Sequence, residues 1–126
     1  MTFARRVFAG AAVYGILALL PQYFLEARIG RDFPPPITHP EQFYGFVGVS
    51  LAWQFLFLLI ARDPLRYRPA MIVAVLEKLA FGGATVVLFA LDRVPAPVLA
   101  VGLVDLLLAS LFTAAYRKTA GERPTR

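Results

Sequence analysis

The chain has 126 residues, no cysteine, one histidine and a formal net charge of +5, and 59% of its residues are hydrophobic. Without cysteine there is no disulfide or thiolate metal site, and a single histidine excludes sites that need two imidazoles. The basic residues lie between apolar blocks, as the positive-inside rule requires, so the positive charge does not indicate a nucleic-acid partner. The composition therefore predicts a small polytopic membrane protein.

Four apolar segments are long enough to cross a bilayer, which takes about 20 residues in a helix. They are predicted at 7–25, 43–61, 70–91 and 98–116. Arg5 and Arg6 precede the first span, and a twin-arginine export signal is the alternative interpretation. The apolar run is longer than a signal h-region and no A-x-A cleavage pattern follows it, so we interpret the pair as a cytoplasmic flank. Pro21 predicts a kink near the outer end of this span. The expected fold is all-α, an up-down-up-down bundle of four transmembrane helices in a single domain, 1–126.

The connection at 26–37 is the one long loop of the predicted bundle. Three consecutive prolines from Pro34 predict a stiff, extended segment rather than a helix. Thr38 and Glu41 have the spacing of a capping box, so the second helix is expected to begin at Thr38. We expect the connection to form an ordered lid on the outer face. His39 is better explained by this helix start than by a metal site, and no metal site is predicted.

The distribution of Lys and Arg predicts the orientation of the chain. Nine basic residues lie on the side of the two termini and three lie on the other side. Positive residues are retained in the cytoplasm, so both termini are expected there, with the protein in the inner (plasma) membrane.

Each predicted span carries at least one polar side chain at a similar depth. At about 1.5 Å per residue, these side chains lie about 10–16 Å from the cytoplasmic ends of their helices, which predicts a polar cluster in the inner leaflet. They are Tyr14, Gln54, Glu77, Lys78 and Asp105. Charges at this depth are costly unless they are paired, so we expect Lys78 to bridge to Asp105. Gln54 and Tyr14 are the expected partners of Glu77.

This intramembrane polar cluster has a structural and a functional interpretation, and the sequence leaves both open. It can be a polar network that specifies how the helices pack, or it can be a site. Ser50 and Trp53 are candidates for residues that line a cavity. Ser50 is one turn away from Gln54, and Trp53 is too deep for the interfacial aromatic belt. No catalytic residue is identified.

Small residues also recur at helical spacing in two of the spans. Gly45, Gly48 and Ala52 share a face of the second span, and Gly102 and Ala109 flank Asp105 in the fourth. Small faces allow membrane helices to approach closely, so both are predicted to be packing surfaces.

The central third of the chain, 38–78, reads THPEQFYGFVGVSLAWQFLFLLIARDPLRYRPAMIVAVLEK. This segment resembles a group of small bacterial inner-membrane proteins of uncharacterised function, and the resemblance implies no activity. The size and four-span plan also resemble those of the DoxX-like proteins. No DoxX motif matches residue by residue, so that resemblance implies no site residues.

Three functional classes follow from these observations. The first is a non-enzymatic protein, either a binding module for a lipophilic ligand or an accessory subunit of a complex. The second is a membrane-embedded enzyme in which Glu77 and Asp105 transfer protons on a lipophilic substrate. The third is an oligomeric proton- or ion-coupled transporter. The first is favoured because the chain has little soluble surface and no recognised catalytic motif.

The expected partners are the lipid bilayer, a lipophilic ligand, and a membrane protein or further copies of this chain. No cofactor is expected.

Overall fold

A computed structural model describes residues 2–122, which form a helical bundle without β-strands. The five α-helices are α1 (Thr2–Leu19), α2 (Glu26–Asp32), α3 (Pro40–Arg62), α4 (Arg68–Ala90) and α5 (Ala96–Lys118). All of these helices except α2 are long and apolar enough to cross a membrane. The first of these spans consists of α1 and the 3-10 helix that continues it, Leu20–Phe24. The predicted all-α bundle of four long helices is confirmed.

The four long helices follow one another around the bundle in chain order. The α4 helix packs along α5, and α1 packs along α3. The α1–α5 contact joins these two pairs, whereas α3 and α4 touch at few points. The bundle is therefore two close helix pairs with looser packing between α3 and α4.

Three aromatic rings close the end of the bundle at which α1 begins and α5 ends. Phe8 stacks on Phe112 with ring centroids 4.2 Å apart, and Phe57 meets Phe112 edge-on at 5.1 Å. All three side chains are fully buried. Offset and edge-to-face rings pack without gaps at these distances. We call these three residues the aromatic plug.

Arg68 joins the start of α4 to the end of α5 at the same end of the bundle. Its guanidinium donates to the Tyr116 carbonyl from Nη2 at 2.8 Å and from Nε at 3.2 Å, and to Thr119 Oγ1 at 3.1 Å. It also lies 3.8 Å from the centre of the Tyr116 ring. A cation is favourable at a helix C-terminus, where carbonyl groups lack helical partners. Arg68 therefore caps α5.

The small face predicted on the fourth span is a packing surface, whereas the one predicted on the second span is not. A Cβ built on Gly102 would overlap the Thr85 side chain, so α5 meets α4 closely there. Gly45 of α3 has open space where its Cβ would be, and Ala52 is exposed. Gly48 faces only the Tyr23 hydroxyl, 3.0 Å from its Cβ position. The tertiary arrangement turns this face of α3 away from the other long helices.

Two expectations for the long connection are wrong. Its first half is helix α2, because the prolines that prevent a helix begin only at Pro34, after α2 has ended. The stretch from Pro34 to Pro36 is not helical, as predicted. The expected capping box is also absent: α3 begins at Pro40, with His39 as its N-cap residue and no side-chain cap hydrogen bond. Proline at the first helical position has a preset φ and needs no amide donor, which accounts for the later start.

Pro21 marks a change of helix type at the predicted position. The α1 helix ends at Leu19, and Pro21 lies in the first turn of the 3-10 helix that follows. Proline lacks the amide donor that an α-helix interior uses, so the chain changes to a tighter helix there.

Candidate functional site

A cavity of about 220 Å³ lies between the four long helices. Its polar lining residues come from the four long helices and from the 3-10 helix after α1: Tyr14, Gln22, Ser50, Gln54, Glu77, Lys78 and Asp105. The rest of the lining is mainly apolar and includes Leu19, Phe46, Phe81, Val98 and Val101. The cavity therefore has a polar part with charged groups and a larger apolar part.

The structure brings together all five residues of the predicted polar cluster, and Ser50 with them. Trp53, the other candidate for a lining residue, is not among them. It lies with Val49, Ala52 and Leu56 in a shallow groove elsewhere on α3, and its ring packs 6.3 Å from that of Phe57. Successive residues are about 100° apart around a helix, so Trp53 cannot share the direction of Gln54. Ser50, one turn before Gln54, does share it.

Lys78 is the centre of the charged part of the cavity. Its Nζ lies 3.5 Å from Asp105 Oδ1 on α5 and 3.5 Å from Glu77 Oε2 on its own helix. The Lys78 side chain is 5% exposed, and those of Glu77 and Asp105 are 16% and 12% exposed. One ammonium group thus serves two carboxylates, and in their ionised forms these three groups carry one net negative charge.

Two buried acceptor atoms in this part of the cavity have no hydrogen-bond donor among the described residues. They are Gln54 Oε1 and Glu77 Oε2. The Gln54 amide nitrogen donates to the Ser50 carbonyl at 2.8 Å, which leaves the oxygen as the free end of the amide. Glu77 Oε2 has the Lys78 ammonium at ion-pair distance but without hydrogen-bond geometry. Buried polar atoms without partners are rare in folded proteins, and a functional role is one of the explanations for them.

Gly15 makes room for Gln54. A Cβ at position 15 would overlap the Gln54 side-chain amide. Gly15 and Gln54 both line the cavity, and Gln54 is 1% exposed. The absence of a side chain on α1 therefore lets the amide of α3 lie between the two helices.

Gly15 was not singled out from the sequence, although a pattern for it exists. The buried residues of α1 are Ala4, Phe8, Ala11, Ala12 and Gly15. They lie at positions i, i+4, i+7, i+8 and i+11, as the residues on one face of a helix do. Four of these five residues are small, which is typical of a membrane-helix packing face.

The aromatic plug closes the cavity beyond the charged groups. The Lys78 ammonium lies 5.2 Å from the centre of the Phe57 ring, so the charged part adjoins the plug. The apolar walls extend the other way, towards the end where α3 and α5 begin. Tyr14, Phe46 and Val101 line the cavity and are also 38%, 47% and 47% exposed. The cavity is thus closed at one end and reaches the bundle surface elsewhere.

The long connection, which was expected to form an ordered lid on the outer face, does not line this cavity. Gln22 of the 3-10 helix is among the lining residues, but no residue of 26–39 is. Instead, α2 is held against α3, where the Tyr44 hydroxyl donates to Glu26 Oε2 at 2.7 Å. The rings of Tyr23 and Tyr44 stack beside this bond with centroids 6.0 Å apart.

Comparison of the chain with protein-family models, with curated proteins and with solved structures found no match. A functional assignment consequently rests on the geometry of the cavity.

Proposed function

We propose that this chain is a non-enzymatic, multi-pass membrane protein that binds a lipophilic molecule in the cavity between its four long helices. The polar end of the ligand contacts the charged groups, and its apolar part lies along the walls. The observation that carries the proposal is the form of the cavity: a charged part with unsatisfied acceptors, apolar walls, and closure at one end. Ligand sites are typically mostly apolar with a few polar groups that orient the ligand.

The aromatic plug supports a binding cavity over a continuous pathway through one chain. An ion or proton pathway needs polar groups or water along its whole length. Phe8, Phe57 and Phe112 fill the end of the bundle next to the charged groups with stacked apolar rings. If both termini are in the cytoplasm, as the distribution of Lys and Arg predicts, the plug lies on the cytoplasmic side, the charged part of the cavity lies in the inner leaflet, and the apolar walls extend towards the outer side.

The volume of the cavity sets the size of a suitable probe. A volume of 220 Å³ holds about seven groups the size of a water molecule, each of which occupies about 30 Å³ in the liquid. A single-chain octyl compound therefore approximately fills it. Octylamine and octanol are two such probes that differ only in their head groups.

The test is calorimetric titration of the detergent-solubilised full chain with each of the two probes, with empty micelles as the reference. At least one probe should bind. Ala18 lines the cavity, so Ala18→Phe should weaken binding about tenfold or more, because overpacking costs about 1–3 kcal/mol. The matched control is Leu17→Phe, since Leu17 is 70% exposed and its binding should match that of the unmodified protein. If neither probe binds above the micelle reference, or if both variants bind equally well, the proposed function is wrong.

A further inference from the structure

The charged part of the cavity has more acceptors than donors among the described side chains. Asp105 and Glu77 supply four carboxylate oxygens, and Gln54 adds one amide oxygen. Lys78 supplies the only ammonium group among the described lining residues, with three donors, and the hydroxyls of Tyr14 and Ser50 supply one donor each. That ammonium stands 3.5 Å from an oxygen of each carboxylate, and Gln54 Oε1 and Glu77 Oε2 remain without a hydrogen bond.

A ligand that completes this arrangement has to supply donors. A carboxylate or phosphate would bring further acceptors, and a second negative charge into a site that carries one when Glu77 and Asp105 are both ionised. A hydroxyl group supplies one donor and no charge. A protonated primary amine supplies three donors and one positive charge, which balances the net charge of Glu77, Lys78 and Asp105.

We infer that the ligand class is a single-chain lipophilic amine, whose protonated amino group donates to Glu77 Oε2 and Gln54 Oε1 while its alkyl chain lies against the apolar walls. This inference rests on the proposed function and specifies the chemistry of its ligand. Gln54 and Glu77, which carry the two acceptors, both line the cavity, and Gln54 is held there by its bond to the Ser50 carbonyl and by the space at Gly15. Both acceptor atoms are fully buried, so the amino group of the ligand reaches them when the two side chains shift.

Lys78 does not prevent a second cation from binding, because its charge is shared between two carboxylates. A buried ammonium with one carboxylate would leave a neutral pair, and a ligand cation would then be unfavourable. Here the second carboxylate supplies the counter-charge, as buried charges require. Phe57 also faces the Lys78 ammonium from the plug side at 5.2 Å. The ligand therefore approaches from the apolar walls, opposite the plug.

The test compares four octyl compounds that share one apolar chain. Octylamine has charge and N–H donors, octyltrimethylammonium has charge alone, octanol has one donor and no charge, and octanoate has a negative charge. Calorimetric titration of the solubilised full chain, corrected for partition into micelles, should show octylamine binding about tenfold or more tightly than octanol, as expected for hydrogen bonds to a charged group. Octyltrimethylammonium should bind more weakly than octylamine, and octanoate should bind least.

Substitutions of Glu77 and Gln54 test whether these two acceptors cause the preference for the amine over octanol. Glu77→Gln removes the charge with little change of volume, and the amine should then lose most of its advantage over octanol. The control is Glu41→Gln, the same change at an exposed position of α3, which should keep the preference. Gln54→Met provides a second variant, because it removes Oε1 with a side chain of similar length and should weaken amine binding even if Glu77→Gln fails to fold.

The outcomes distinguish the two proposals. If octanol or octanoate binds as tightly as octylamine, the amine inference is wrong and the proposed function stands. The same conclusion follows if Glu77→Gln and Gln54→Met both retain the full amine preference. If none of the four compounds binds above the micelle reference, both proposals are wrong.

Discussion

The ammonium of Lys78 on α4 lies 3.5 Å from Asp105 Oδ1 on α5, and a second carboxylate, Glu77, lies 3.5 Å from the same nitrogen. The bridge to Asp105 agrees with the sequence prediction, whereas the expected partners of Glu77 were Gln54 and Tyr14. Because Lys78 serves both acids, the three residues act as one charge cluster and not as an isolated pair. This changes what substitutions are expected to do.

Lys78→Met should be the most destabilising change in the cluster, because it leaves two buried carboxylates without a cation. A loss of about 3–5 kcal/mol in the free energy of unfolding is expected for a broken buried pair. Asp105→Leu should cost less, since Lys78 retains Glu77. The double variant Lys78→Met/Asp105→Leu still leaves Glu77 alone, so recovery should require Glu77→Gln as well.

Thermal unfolding in detergent, followed by the helical circular dichroism signal, measures these differences. Asp32→Leu is a control for the Asp105 change, because the Asp32 pair with Arg28 is exposed and exposed pairs contribute about 0–1 kcal/mol. If Lys78→Met and Asp105→Leu cost the same, or if adding Glu77→Gln gives no recovery, the three residues do not act as one cluster.

Gly15→Ala should destabilise the bundle, because the added methyl group overlaps the Gln54 amide. Overpacking of this kind costs about 1–3 kcal/mol. Gly10→Ala in the same helix is the matched control, since nothing lies within 4 Å of its Cβ position. That change should be neutral or stabilising by about 0.5–1 kcal/mol, because alanine favours a helix over glycine. Adding Gln54→Ala to Gly15→Ala should restore much of the stability lost, as measured by thermal unfolding. Equal effects of Gly15→Ala and Gly10→Ala would contradict the close approach of α1 to the Gln54 side chain.

Arg68→Ala should separate the start of α4 from the end of α5, because it removes the donors to the Tyr116 carbonyl and to Thr119. The expected cost is about 1–3 kcal/mol, the range for hydrogen bonds to a charged group. Arg68→Lys should be intermediate, since it keeps the charge but loses the planar fork. Arg66→Ala on the same turn is the control, because Arg66 is exposed. Hydrogen exchange of the last turn of α5 would locate the effect, and unchanged exchange in Arg68→Ala would argue against the cap.

The predicted orientation can be tested with a C-terminal reporter that is active only outside the cytoplasm. Nine basic residues against three predict a silent reporter on the full chain. The same reporter fused after Leu91, at the end of α4, should be active. An active C-terminal fusion would reverse the orientation and place the aromatic plug on the outer side.

The four helices and the common depth of their polar side chains could be predicted from the sequence because both depend on distance along a helix. Apolar length identifies a span, and a rise of 1.5 Å per residue converts position into depth. The Lys78–Asp105 contact followed from depth and from the small residues on the same faces. The predicted helix start at Thr38 was wrong because a capping box is only one way to begin a helix, and Pro40 at the first helical position is another.

Only the tertiary structure decided which face of α3 is turned inward. A membrane helix is apolar all round, so its sequence has little of the polarity difference that marks the buried face of a soluble helix. The packing of α1 against α3 placed Gly15 beside Gln54, turned Trp53 away from the cavity and left two acceptors without donors. The sequence also did not predict the apolar walls formed by Phe46, Phe81 and Val101, because apolar side chains are equally suited to face lipid or to line a cavity.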